Sequence, residues 1–354
     1  MEYSNIKELS EDFIRRTIED TQSLQRRETE DYLRELCIAG YPERQRSLWL
    51  RDYTSLERFL TSVEPNRKRW QEALGEFRPE GDFEVKDEPF LEDDKVIARW
   101  VSIRFSGSLR CRAVLALPKG GKAPFPLVIS QHGILSSPEN VFGFLETAYH
   151  GFGYRLARDG YAVLAPLNIS GIKPRARYTR MALLLGKTLF GLEVSKLRRL
   201  IDYVSNLPEV DQQRIGMWGI SLGGAYTLLT LPLEARIKVG IICAFFNHRL
   251  TKMIIDDPRY SCFLSTEEEH AFIPGWLREF SDSDLVSLIC PRPLLIQTGK
   301  ADGVSWWPFV LEEFKEAKGH YERLGLSERI LIDLHEGGHE IRYDTGLAFL
   351  RKWL

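Results

Sequence analysis

The sequence predicts an α/β protein: a mostly parallel central sheet with helices on both faces, preceded by a helical arm. Three observations carry that expectation. Near residue 82 the apolar spacing changes from helical to strand-like. From residue 125 onward, short apolar runs alternate with amphipathic segments, as in parallel sheets whose strands are joined by helical crossovers. One of those runs leads into Gly219-Ile220-Ser221-Leu222-Gly223, and a helix start follows at Gly224.

The chain has 354 residues, enough for a large core in one domain or two. Two parts are expected, an N-terminal helical arm, 1–81, and an α/β domain, 82–354, that holds the candidate site. Within residues 5–80, Phe13, Ile14, Ile18 and Leu24 fall near helical spacing, as do Leu33, Leu36 and Cys37. Gly40 and Pro42 are expected to stop that helix. Leu50, Tyr53, Leu56 and Leu60 mark a second helix, and Pro65 opens a third with Trp70 and Leu74. An apolar stripe on such an arm needs a cover, either the following domain or a second copy. A homodimer through the N-terminal helices is therefore an expectation.

Next come Phe83, Val85, Val96, Ala98, Trp100, Val101 and Ile103, then Arg110–Leu117, read as antiparallel strands closed by a Pro118–Gly121 turn. Phe125–Ser130 is a strand. Leu145–Ala157 reads as a helix ended by Asp159-Gly160. Tyr161–Ala165 is the next strand, and residues 167–187 read as a long loop. Leu197, Leu200, Ile201 and Val204 share a helical face. Ile215–Trp218, Val239–Phe245, Leu294–Gln297 and Ile330–Leu334 complete the set of strands. In such sheets a site forms beyond the carboxyl ends of the strands, here loops 131–140, 167–187, 245–290, 299–307 and 335–342.

Net charge is −2, which argues against a nucleic-acid partner. No apolar run reaches the length of a membrane span, and Met1–Asp20 is charged, so a cytoplasmic location without membrane contact is expected. Five dispersed cysteines, Cys37, Cys111, Cys243, Cys262 and Cys290, suggest free thiols.

The chemistry is expected at Ser221. A serine hydroxyl is a poor nucleophile until geometry and a base assist it. A strand-to-helix turn lifts it out of the sheet, and glycines two residues to either side remove β-carbons that would clash there. The orienting acid is sought after a later strand, and Asp302 stands in Thr298-Gly299-Lys300-Ala301-Asp302-Gly303-Val304. Its competing reading is a surface Asp-Gly turn. Asp282 and Asp284 lie before that strand, at its wrong end. The base is sought in His335-Glu336-Gly337-Gly338-His339-Glu340, where the glycine pair lets His339 fold back. His335 belongs to the strand end, with a structural hydrogen bond. Zinc is disfavoured at this pair because the intervening glycines break the helix that two histidines four apart would need. The order Ser221, Asp302, His339 matches hydrolases of this architecture. Two backbone N–H groups, of Leu222 and Ile134, are the candidate oxyanion donors. His132 reads as a structural brace.

The motifs Gln131-His132-Gly133, Asp159–Pro166, Leu207–Asp211 with Arg214-Ile215-Gly216, Gly219–Gly224, Pro291–Leu295 and Glu336–His339 carry a resemblance. Residues from about 82 to 354 resemble the α/β-hydrolase superfamily, and within it the dienelactone-hydrolase-like and acetyl-xylan-esterase-like serine esterases. A helical arm before the hydrolase domain is also similar to members of that group. The resemblance implies the α/β-hydrolase fold, Ser221 as nucleophile, Asp302 as acid, His339 as base, and no cofactor. Three positions depart from it. Dienelactone hydrolases carry cysteine where Ser221 stands, which sets lactones apart from the expected substrates. Ile134-Leu135-Ser136-Ser137 replaces the glycines that sugar deacetylases usually carry after His-Gly. Leu167 stands where many relatives have aspartate.

Lys173, Arg175, Arg177 and Arg180 are expected on the solvated 167–187 loop, with an anionic substrate as the alternative. Phe245, Phe246, Tyr260, Phe263, Phe272 and Trp276, or Trp306-Trp307, are candidates for a cap. The expected function is serine-dependent hydrolysis of a small-molecule ester through an acyl-enzyme. A prolyl-oligopeptidase-like peptidase and a non-catalytic binding protein are the alternatives.

Overall fold

The computed structural model describes residues 10–354, so the helical reading of residues 5–9 lies outside the described residues. The chain opens with α1 (Glu11–Ser47) and α2 (Leu56–Leu74). Then come β1 (Lys86–Glu92), β2 (Val96–Ser106), β3 (Leu109–Pro118), β4 (Phe125–Gln131), α3 (Pro138–Val141), α4 (Phe152–Arg158) and β5 (Ala162–Pro166). They are followed by α5 (Ile172–Leu183), α6 (Leu189–Val204), β6 (Val210–Ile220), α7 (Leu222–Thr230) and β7 (Ile237–Cys243). The remainder is α8 (Arg249–Ile254), α9 (Trp276–Glu279), α10 (Asp282–Ile289), β8 (Leu294–Gly299), α11 (Trp307–Glu322), β9 (Ile330–His335) and α12 (Tyr343–Trp353).

The nine strands form one sheet in the order β1-β2-β3-β5-β4-β6-β7-β8-β9. β1, β2 and β3 pair antiparallel, and β3 meets β5 antiparallel. Every later pair is parallel. Successive side chains on a strand point to opposite faces. In β6, Ile215 and Met217 accordingly join the core under α2, α6, α7, α10 and α11. Trp218 and Ile220 join the core under α4 and α12. The parallel strands β4 to β9 all end at one rim, and the sequence-predicted site loops hang there.

The N-terminal helices depart from expectation in two places. α1 runs through Gly40 and Pro42, and α2 runs through Pro65 as one helix. An interior proline costs a helix about 3 kcal/mol. Tertiary contacts just beyond Pro42 oppose that cost. Buried Arg44 donates to Asp284 at 2.8 Å, Arg51 meets the same carboxylate at 2.6 Å, and the Trp49 indole donates to the Glu279 carbonyl at 2.8 Å. In α2, Phe59, Val63, Trp70 and Leu74 are buried in the main core, with Ser55 capping the start and Gly75 in the left-handed region at the end. The outer part of α1 leaves Phe13, Ile18, Leu24 and Leu33 exposed.

Two more segments differ. Residues 167–187 contain α5, and Arg175 on it is wholly buried, bound through both guanidinium nitrogens to Glu193. It is thus a core ion pair rather than a solvated or substrate-facing charge. The helix expected over 145–157 begins only at Phe152, because residues 145–151 are taken up by turns.

Around α10 the buried charges gather. Asp282 is bound by Arg249 through two hydrogen bonds, Asp284 by Arg44 and Arg51, and Glu313 accepts the Ser283 N–H at 2.7 Å. Glu313 has no cation partner among the described residues. Burial, with Asp282 nearby, pushes its carboxyl up to about 7. A raised folded-state value means stability that is complete below the ordinary glutamate range and lost as pH rises through about 7. Glu313→Gln keeps the acceptor and removes the titration. Its stability advantage over the native chain should grow from pH 5 to pH 8, toward an amount on the order of 3 kcal/mol. Urea midpoints at the two pH values test this, and a difference independent of pH would refute it.

Candidate active site

β6 ends in a turn that the backbone does not take freely. Ser221 sits at φ 58° and ψ −122°, a region that costs a non-glycine residue on the order of 1–3 kcal/mol. Its N–H donates to the Cys243 carbonyl at 2.9 Å, and its carbonyl accepts the Ala225 N–H at 2.9 Å, so strand and helix both hold the turn. The glycines are steric necessities. A β-carbon on Gly219 would strike the Gly223 carbonyl, and one on Gly223 would strike the Gln131 carbonyl. Leu222 is the first residue of α7, so its N–H has no acceptor one turn back within the helix. The positive end of the helix dipole faces the same point.

A cavity of about 50 Å³ opens at this turn, with Ser221, Leu222 and Ile134 in its wall. Ile134 follows Gly133, whose N–H donates to the Tyr149 hydroxyl at 2.9 Å. A β-carbon on Gly133 would lie 3.0 Å from that hydroxyl and 3.1 Å from Ser221 Cβ, so phenol, glycine and serine crowd together. His132 is fully buried. Its Nε2 accepts the Asn168 N–H at 3.2 Å, which leaves the proton on Nδ1 to reach the Gly133 carbonyl at 2.8 Å. Burial lowers its pKa, in keeping with a neutral brace.

The loops after β8 and β9 are fastened to each other. Lys300 N–H donates to the His335 carbonyl at 2.8 Å and Ala301 N–H to the Gly337 carbonyl at 3.0 Å. A β-carbon on Gly299 would collide with the Gly337 and Gly338 carbonyls, so only glycine allows this approach. The result brings Asp302 to His339, with Oδ2 and Nδ1 2.9 Å apart. The Asp302 side chain is wholly buried, and its other oxygen accepts the Val304 N–H at 2.8 Å. A carboxylate can only accept here, so Nδ1 carries the proton and Nε2 presents a lone pair.

The serine turn and the histidine loop meet on one residue. Cys243 accepts the Ser221 N–H through its carbonyl, and its thiol donates to the Glu340 carbonyl at 3.1 Å. No hydrogen bond joins the Ser221 hydroxyl to His339 among the described residues. Such contacts are often long in unliganded sites and tighten when substrate binds. The rejected acids are engaged elsewhere, Asp282 with Arg249 and Asp284 with Arg44 and Arg51. His335 departs from its expected role, since neither ring nitrogen has a hydrogen-bond partner and the Glu340 carboxylate stops 3.9 Å away.

The rest of the cavity wall comes from the 245–290 segment. Of the aromatic candidates Phe245, Phe263 and Trp276 are there, while Phe246, Tyr260, Phe272, Trp306 and Trp307 are not, and polar groups outside the expected set join them. Lys252 donates to the Ser261 carbonyl and hydroxyl and to the Val304 carbonyl, at 2.5–2.8 Å, tying the segment to the Asp302 loop. Burial, with Arg249 adding, pushes its pKa down to about 8. Burial also raises Glu268 and drives His270 down to about 2, so that imidazole is neutral. These residues are scattered over some twenty positions and share no local spacing. Tyr149, also missed, lies sixteen residues beyond Gly133 in a stretch without a motif.

Comparison with known proteins adds to this geometry. The family model described as acetyl xylan esterase (AXE1) matches residues 68–254. The protein YtaP of Bacillus subtilis (strain 168), which carries a hydrolase name, is 26% identical over 305 residues, covering 81% of this chain and 98% of YtaP. Among solved structures, one named as an acetyl xylan esterase, from Bacteroides fragilis NCTC 9343, superposes with a TM-score of 0.67 at 16% identity, covering 81% of this chain and 78% of the other. A glucuronoyl esterase from Solibacter usitatus superposes with a TM-score of 0.64 at 16% identity, covering 84% and 93%. At that identity the two structures establish the shared α/β-hydrolase fold.

Proposed function

The chain belongs to the acetyl xylan esterase (AXE1) family and is a carboxylic-ester hydrolase, and on that premise we propose that Ser221, His339 and Asp302 form its catalytic triad. Ser221 Oγ attacks the ester carbonyl while His339 Nε2 takes its proton. The imidazolium, held by Asp302, then returns that proton to the leaving alcohol. The N–H groups of Leu222 and Ile134 receive the tetrahedral oxyanion. Water, activated by the same histidine, releases the acid and restores Ser221. The observation that carries this reading is the strained serine at a helix N-terminus beside a cavity, together with a histidine, on the loops at the same strand ends, already held by a buried carboxylate. The substrate is a small ester with a short acyl group, because the cavity beside Ser221 is only about 50 Å³. The reading needs no cofactor.

Short p-nitrophenyl esters should be cleaved, and Ser221→Ala should abolish turnover while leaving the melting temperature nearly unchanged. Asp302→Asn should lower kcat by about 10⁴, as loss of the orienting carboxylate does in other triads. Undiminished hydrolysis by the Ser221→Ala protein would remove the proposal.

Tyr149 holds the oxyanion loop through Gly133 and is assigned a positioning role. Tyr149→Phe leaves a Gly133 N–H without its acceptor, a loss of about 1–3 kcal/mol. If that loosens the Ile134 donor, kcat should fall by roughly ten-fold or more with KM little changed. Equal losses in kcat with esters and thionoesters would contradict it, since sulfur gains little from an oxyanion donor.

The exposed Phe13, Ile18, Leu24 and Leu33 of α1 support pairing of two copies through that helix. Light scattering should return twice the chain mass, and glutamates at Ile18 and Leu24 should halve it.

A further inference from the structure

A second concavity, larger than the one at Ser221, lies elsewhere on the molecule. It is a groove of about 850 Å³ between the first residues of β3, the segment after β5, and the turn from α5 to α6. Its wall is mainly apolar, and its outer lip is unusually so for a surface. Met181, Leu184 and Leu185 are 55%, 88% and 67% exposed, and Leu109 faces them across the opening at 40%. Exposed leucines gathered around a concavity, rather than scattered singly, mark a binding surface.

Charge narrows what that surface takes. Arg110, Arg112 and Lys196 line the groove, and none of its lining residues is acidic. Arg110 is committed to Ser102 and the Glu84 carbonyl. The head groups of Arg112 and Lys196 have no carboxylate partner among the described residues. Glu193, the nearby acid on α6, has both oxygens occupied by Arg175. An apolar trough that also carries two cations without carboxylate partners is complementary to a single apolar chain with one anionic head. A second copy of this chain fits it less well. A two-fold contact through the groove would bring its own arginine and lysine against their equivalents.

We propose that this groove binds the anion of a medium- or long-chain fatty acid, its carboxylate on Arg112 and Lys196 and its chain along Leu109, Met181, Leu184 and Leu185. The site is separate from Ser221 and does not depend on the triad assignment. The carboxylate gains from paired cations at a low-dielectric wall, with a bidentate fit available on the guanidinium. The chain gains from each methylene withdrawn from water.

Titration calorimetry of the full-length protein with laurate, below the concentration at which it forms micelles, tests the proposal. The protein is first treated with a fluorophosphonate and used with Ser221→Ala alongside, so that the ester site is closed or inert in either case. Saturable binding of one laurate per chain is expected, several-fold tighter than caprate. Dodecanol should bind at least ten-fold more weakly than laurate. Arg112→Gln with Lys196→Gln should reduce laurate to the dodecanol level and leave dodecanol unchanged. Leu185→Asp should abolish both. All these positions are at the surface, and hydrolysis of short esters should be unaffected by their replacement. No saturable laurate binding to the native groove, or binding indifferent to these substitutions, would overturn the proposal. So would a native dimer that Leu185→Asp dissociates, because a second copy would then occupy the groove.

Discussion

The backbone at Ser221 is the constraint from which the site is built. A serine at φ 58° is held there only because strand, helix and neighbouring loop are all bonded to the turn. The strain points the hydroxyl away from the sheet and sets α7 running back beneath it. It also requires that the loop after β4 come close, since Gly223 packs against the Gln131 carbonyl and Gly133 against Ser221 itself. The loop that carries Ile134 is therefore drawn close to the start of α7 as a consequence of the turn. Any side chain at Gly219 or Gly223 would act on the reaction by moving the whole rim.

A second framework, ionic rather than steric, holds what covers that rim. α10 carries Asp282 and Asp284 side by side, each buried and each bound to arginine from a distant part of the chain. Asp284 anchors the end of α1 and the residue run after it. Asp282 anchors Arg249, at the start of the segment that walls the cavity. Paired buried charges add little net stability compared with apolar packing, but an orphaned one is costly, so such pairs fix geometry. The N-terminal helix and the cavity wall are thus clamped to one short helix, and Lys252 secures the far side of the same wall to the Asp302 loop.

This division explains what could be read in the sequence. Strand and helix alternation was legible because it is a periodic property of neighbours, and Ile215–Trp218 leading into Gly219–Gly223 states its local geometry outright. Asp302 and His339 were legible because strand ends and glycines announce where a chain must turn. α1 running through Pro42 was not, since the contacts opposing the proline cost come from Asp284, some 240 positions away. Arg175 looked like a loop charge because its partner Glu193 lies on the next helix. Lys252, Glu268 and His270 meet only in space. The two acids set aside at the catalytic position are paired with arginines, and nothing local marked them as the anchors of two other segments.

The small cavity and the large groove follow opposite rules. At Ser221 the charges of the wall are mostly engaged: Arg249 is paired, Lys252 donates three hydrogen bonds, and His270 is held neutral by burial, while Arg249 Nη1, His270 Nδ1 and Trp276 Nε1 have no partner among the described residues. Such a wall selects by shape and hydrogen bonding and has little charge to spare. In the groove Arg112 and Lys196 are uncommitted and the wall is mainly hydrocarbon, so selection there would rest on charge and chain length. The two are joined at Asn168, which helps line the groove and bonds through its backbone to His132 and through its amide to Gln131. Gln131 ends β4 and His132 opens the loop that brings Gly133 up to the serine. The fold thus places a surface suited to an amphiphile one hydrogen bond from the loop on which oxyanion geometry depends, and a shift of the strand end after β5 would have to be absorbed by that bond or passed to the loop.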